Sequence, residues 1–272
     1  MIIKYGNIVH ISSILIALIL VVVLTLILRK CSGKTAKIVI FVILALNLFQ
    51  HIFKCIVWPQ YYGTGFGELN SAYNMCAFLI IVSPFIFLLK SKALKDFIFY
   101  IGSTAGIMAI SVPYWFIGQS IVTFEYLRFY TCHLLLFIGS MLPVLVGLHK
   151  ISLKNTWKIG FIFFTSLSIV LANGFIFSLI KYLPDFAAVK DSFMSKNPVW
   201  ALHPVEGFER VTKIIEIFTP KIFLGGNGKN YVPIMWYIIP FYSLITISTF
   251  LVCLPVSLFA RRKQKVQQQP EQ

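Results

Sequence analysis

Acidic residues are scarce in this sequence. Nine Asp and Glu stand against 24 Lys and Arg in 272 residues, and charged residues of both signs make up only 12%. A soluble domain carries about twice that share. Five Cys fall at irregular spacing, none in a CxxC pair, which excludes a zinc ribbon and a disulfide-knit fold. Neither GxSxG nor HExxH occurs, so the usual serine-hydrolase and zinc-protease signatures are missing. The glycine-rich stretch at 225–230 falls short of a phosphate loop. Phe223 and Asn230 stand where GxxxxGK[ST] requires Gly and then Ser or Thr.

Apolar residues are what the chain has in excess. It is 58% hydrophobic and 16% aromatic, with a mean hydropathy of +0.84. That composition predicts an all-α, polytopic membrane bundle. Seven spans are expected, at about Ile11–Leu28, Ala36–Trp58, Ala72–Leu89, Phe97–Ile117, Phe129–Leu148, Ile159–Lys181 and Pro233–Ala260. The first is too long for a signal-peptide core and lacks a small-residue cleavage site, so it is expected to remain as an anchor. The whole chain, 1–272, is read as one integral domain of the cell membrane.

The net charge of +15 follows from topology rather than from nucleic-acid binding. Fourteen Lys and Arg fall in the tail and in the short loops after spans one, three and five. The opposite side has Arg128 and Lys4. The positive-inside rule then puts the amino terminus outside and the carboxyl terminus inside. The long loop at 183–232 is extracellular on this reading. Within it, Phe208, Val211, Ile215 and Phe218 recur at helical spacing, predicting an amphipathic helix near 204–218.

Polar groups within spans are costly and mark function more often than polar groups elsewhere. On span two, Asn47, His51, Lys54 and Cys55 share one helical face. Such a stripe also serves plain helix packing, and Lys54 is long enough to snorkel to the headgroups. Spans three and five run in the same direction, with Asn74 and Cys76 near the start of one and Arg128, Tyr130, Cys132 and His133 near the start of the other. Asn173 lies in the outer half of span six. Counting residues from the outer boundary puts Cys76 and His133 about 6 Å deep and His51 about 10 Å deep. A thiol and an imidazole at one depth suit a Cys–His pair, the His taking the thiol proton.

The order Asn74-Met75-Cys76, Phe99-Tyr100-Ile101-Gly102, Arg128-Phe129-Tyr130, His133, Asn173 resembles the YwaF-like bacterial membrane proteins and their eukaryotic relatives, the transmembrane protein 164 family. The resemblance runs from span two to span seven. It implies a multispanning fold and, from the eukaryotic branch, transfer of a fatty acyl chain between phospholipids through a Cys acyl-enzyme. Cys76 would then be the nucleophile and His133 its partner. Where bacterial members often have Pro-Leu-His-Leu before the Cys, this chain has Ala72-Tyr73-Asn74-Met75.

Two functions follow as expectations. In the first, a phospholipid acyltransferase acts near the outer leaflet on phospholipids and lysophospholipids. Cys76 and His133 do the chemistry, and His51, Lys54, Asn74, Arg128, Tyr130 and Asn173 hold substrate. In the second, the same residues line a solute cavity of a non-enzymatic binder or transporter, with the 183–232 loop as its lid. Neither expects a metal or cofactor. A disulfide among Cys55, Cys76 and Cys132 would remove the nucleophile.

Overall fold

The computed structural model describes residues 1–57, 59, 67–196, 209–217, 219–221 and 247. Every element among those residues is a helix, without a strand. Five helices are long and apolar enough to cross a bilayer: Ile8–Lys30, Gly33–Val57, Lys92–Phe116, Phe124–Leu145 and Leu153–Tyr182. They coincide with five of the expected spans. The expected third span is a shorter helix, Met75–Leu88, of 14 residues. At 1.5 Å per residue it is about 21 Å long, less than the hydrocarbon thickness of about 30 Å. The expected seventh span and the glycine-rich stretch before it lie outside the described residues, Ile247 apart.

The chain divides into two compact units, 1–150 and 151–272. The first contains α1 (Ile8–Lys30), α2 (Gly33–Val57), α3 (Met75–Leu88), α4 (Lys92–Phe97), α5 (Ser103–Ser111) and α6 (Phe124–Leu145). A π-helical turn, Ile98–Gly102, joins α4 to α5. Residues of α1, α2 and α5 pack on α6: Ala17 and Val21, Ile40 and Leu44, and Ile110 meet Leu134, Phe137, Ile138 and Leu142. The other face of α1 leaves Ile11, Leu15, Leu18 and Val22 exposed. In water that face would be a liability; in a bilayer it is the lipid contact. At its amino end His10 bonds on both ring nitrogens, accepting from the Gly6 amide at 3.1 Å and donating to the Ser111 carbonyl at 2.9 Å.

Three glycines set how closely these helices approach. A Cβ at Gly106 of α5 would lie 2.7 Å from the Phe137 amide nitrogen and 2.8 Å from the His133 carbonyl oxygen of α6. A Cβ at Gly139 would lie 2.5 Å from Leu44 of α2. Gly102 meets Ser140 in the same way. The GxxxG pair at 102 and 106 thus packs against α6 within the chain, by the small-residue contact that membrane helices favour.

In the second unit, α7 (Thr156–Tyr182) is followed by α8 (Phe186–Lys196) and α9 (Glu209–Ile217). The start of the 183–232 loop is therefore a helix. Asp185 caps it, accepting from the Ala188 amide at 3.0 Å. Val189 is buried, and Phe193 meets Phe175 of α7 at 5.5 Å between ring centres. Lys196 donates to Ser178 of α7 at 3.3 Å. Helix α9 lies within the stretch 204–218 where an amphipathic helix is expected, and residues 204–208 and 218 of that stretch lie outside the described residues.

Gly106→Ala should destabilise the folded protein by about 1–3 kcal/mol, because backbone at 2.7–2.8 Å cannot give way. Gly33→Ala, whose new Cβ would meet Leu148 at an ordinary 4.0 Å, should not. Thermal unfolding of the two variants in detergent separates them. Equal melting temperatures would refute the close-packing account.

Candidate functional site

The polar stripe of α2 points into the bundle. Asn47 and Lys54 are 1% exposed, and His51 and Cys55 are 3% exposed. Two side chains of α2 bond across to α6: Asn47 donates to the Cys132 carbonyl at 3.0 Å, and Gln50 donates to the Arg128 carbonyl at 3.1 Å. These bonds seat the end of α2 on the first turns of α6.

The segment leading into α3 folds over the same place. Asn70 donates to the Ile52 carbonyl. His51 donates from Nε2 to the Ser71 carbonyl at 3.2 Å; a carbonyl only accepts, so that nitrogen carries the proton and Nδ1 is the acceptor. The Tyr73 ring stacks over His51 at 6.2 Å and receives the Lys54 ammonium 5.0 Å from its centre. A cation over an aromatic face is a favourable way to bury a Lys. Asn74 accepts from the Ala77 amide at 2.8 Å and so caps α3. Cys76 is the second residue of that helix and is half-buried. Helix N-termini present unpaired amides to any oxygen that gains negative charge.

Arg128, half-buried on α6, is the common charge of the cluster. Its field reaches His51, Lys54, Tyr73, Cys132 and His133. Cys76 follows Tyr73 by three residues and lies on the first turn of α3. All four described cysteines, Cys31, Cys55, Cys76 and Cys132, are free thiols.

The structure thus brings Tyr73 over His51 and Lys54, with Asn74 and Cys76 following it in the chain, and seats the turn of Arg128 and Cys132 on α6 against α2. Tyr73 carries no periodic signal, because it sits in a connection rather than on a helix. His133 is buried and turned about 100° round α6 from Cys132. Its Nδ1 donates to the Phe129 carbonyl at 2.7 Å, and its ring lies 4.4 Å from that of Phe129. Nε2 is left as its acceptor. Tyr130 is engaged with α1, donating to the Ser13 carbonyl at 2.8 Å. Asn173 belongs to the second unit, half-buried on α7 beside buried Gly174. Among the described residues no three His, Cys, Asp or Glu gather as a metal-ligand set.

Asn74→Ala should lower stability by about 1 kcal/mol through loss of the cap, a fall of roughly 2–4 °C in melting temperature for a chain of this size. Asn74→Asp, which keeps the acceptor, should recover most of it. An unchanged melting temperature for Asn74→Ala would free Asn74 from its capping role.

Known proteins bear on this arrangement in one respect. No curated protein and no solved structure matches the chain. A family model does: that of the TMEM164 family, over residues 5–201. The matched range contains α1 to α8 and every residue of the cluster, and it is well over half of the 272 residues. The chain is a multi-pass membrane protein that belongs to the TMEM164 family.

Proposed function

We propose that this protein is a membrane acyltransferase that carries a fatty acyl group on Cys76 from a phospholipid to a lysophospholipid. The observation that supports it most is the company of Cys76: a thiol on the first turn of α3, in a cluster that also contains Lys54 and Arg128. Two cations in one cluster repel each other, and a lipid phosphate bound between them offsets that repulsion. The amides of Met75 and Cys76 open the same helix and suit an oxyanion.

The chemistry needs no oxidant or metal. The Cys76 sulfur attacks the ester carbonyl carbon, and its proton passes to an imidazole nitrogen. The ester C–O bond breaks, the leaving oxygen takes the proton, and a lysolipid departs from a Cys76 thioester. An acceptor hydroxyl then gives its proton to the imidazole and attacks the thioester. The C–S bond breaks and the thiol re-forms with that proton. His133 is the imidazole of this proposal: Nδ1–H is held by the Phe129 carbonyl, which leaves Nε2 to exchange the proton. His51, Asn74 and Tyr130 complete the substrate contacts. On this proposal the chain has seven spans with the amino terminus outside, and the cluster acts at the outer leaflet of the cell membrane.

The test is purified protein in nanodiscs, given a labelled diacyl phospholipid and lysolipid acceptors, with trapping of a hydroxylamine-sensitive acyl-protein. Cys76→Ser should abolish transfer and leave the fold intact, and Cys132→Ser should not abolish it. His133→Ala should slow transfer by roughly 100-fold or more. A larger loss in His51→Ala would reassign the base. If wild type forms no thioester with any common phospholipid, the binder or transporter reading replaces this one. Orientation has its own check: an impermeant maleimide should reach Cys31 only from the inside, and labelling from outside would move the cluster to the inner leaflet.

A further inference from the structure

A cavity lies in the first unit, at the opposite end of α2 from the Cys76 cluster. It has a volume of about 370 Å³, within the range that holds small-molecule ligands. Helices α2, α3, α4 and α6 all contribute to its wall. Its Lys37 and the cluster's Lys54 are separated by about 25 Å along the α2 axis, so the two places are distinct.

The cavity is amphipathic along its length. At one end stand Lys37 and Lys95, close enough that the charge of Lys37 is felt at Lys95. Phe41, Leu44 and Ile86 make up much of its apolar wall. Leu44 is seven residues beyond Lys37, about 10 Å deeper. His149 also lines it, and there the one neighbouring carboxylate, Asp96, is occupied: it accepts from His149 at 2.6 Å and is fully buried.

Gly139 lets α2 come close enough to close the deep end of the wall.

We infer that this cavity is a binding site for a monoacyl lipid with an anionic head. The head sits between Lys37 and Lys95, and the chain lies along the apolar wall. Carboxylate and phosphate heads share the chemistry of the mouth.

The experiment uses the full chain in detergent, with binding read by displacement of a fluorescent fatty acid. The probes are oleate, oleoyl-lysophosphatidate, uncharged monooleoylglycerol and inorganic phosphate. Both anionic lipids should bind at least about 10-fold more tightly than monooleoylglycerol, and phosphate alone should not compete. Lys37→Gln with Lys95→Gln should remove that preference. Val144→Trp, which fills the cavity, should abolish binding of all three lipids. Wild-type binding that does not distinguish oleate from monooleoylglycerol would overturn the anionic head, and that comparison needs no variant to fold. Binding that survives both the double Lys variant and Val144→Trp would place the lipid elsewhere.

Discussion

Close contact of helix backbones around α6 is the constraint on which the first unit rests. A bilayer offers no hydrophobic drive between apolar helices, because lipid tails are as apolar as Leu. Association must come from packing and from hydrogen bonds. Gly106 lets α5 lie directly on the α6 backbone, and Gly139 lets Leu44 of α2 do the same from another direction. With those contacts made, the larger side chains of Phe137, Ile138 and Leu142 can fill the core. The position of α6 then determines what its polar residues can reach.

Polar groups complete that arrangement. Asn47 and Gln50 of α2 bond to carbonyls of α6, and Tyr130 of α6 bonds to a carbonyl of α1. In hydrocarbon the alternative for each is an unsatisfied group, which costs free energy. The same economy gathers the cluster around Cys76. Lys54 is buried under the Tyr73 ring, and His51 is held by the connection that also caps α3. The structural bonds and the proposed chemistry therefore use one set of residues, and α2 supplies part of both.

The two ends of α2 differ in kind. One carries the thiol cluster, where polar side chains are closely bonded to each other and to backbone. The other opens into a cavity with lysines at its mouth and an apolar wall inside. The buried Asp96–His149 pair beside that cavity was not legible in advance. Asp96 and His149 are 53 positions apart and each sits at a span boundary, where a charge carries no signal. Only folding of the α3–α4 and post-α6 segments onto one another brings them to 2.6 Å.

Membrane insertion was written in the sequence, because each lipid-facing residue must be apolar whatever its neighbours are. Hydropathy therefore located α1, α2, α6 and α7 to within a few residues. The shared face of Asn47, His51, Lys54 and Cys55 was equally legible, since helical periodicity is a local property. Periodicity failed where the chain leaves a span. Asn74 reads as a polar residue inside a third span, yet it caps a shorter helix. Phe186–Lys196 reads as loop, yet it packs on α7 through Val189 and Phe193. What lies on which side of α6 was decided only by the tertiary structure. Cys132 and His133 are adjacent in the chain, but about 100° of helical rotation separates them. The Cys132 carbonyl accepts from Asn47 of α2, and His133 bonds the Phe129 carbonyl one turn back on α6. Sequence sets the spacing along each helix, while the rotation and neighbours of a helix are set by the close contacts it makes with the others.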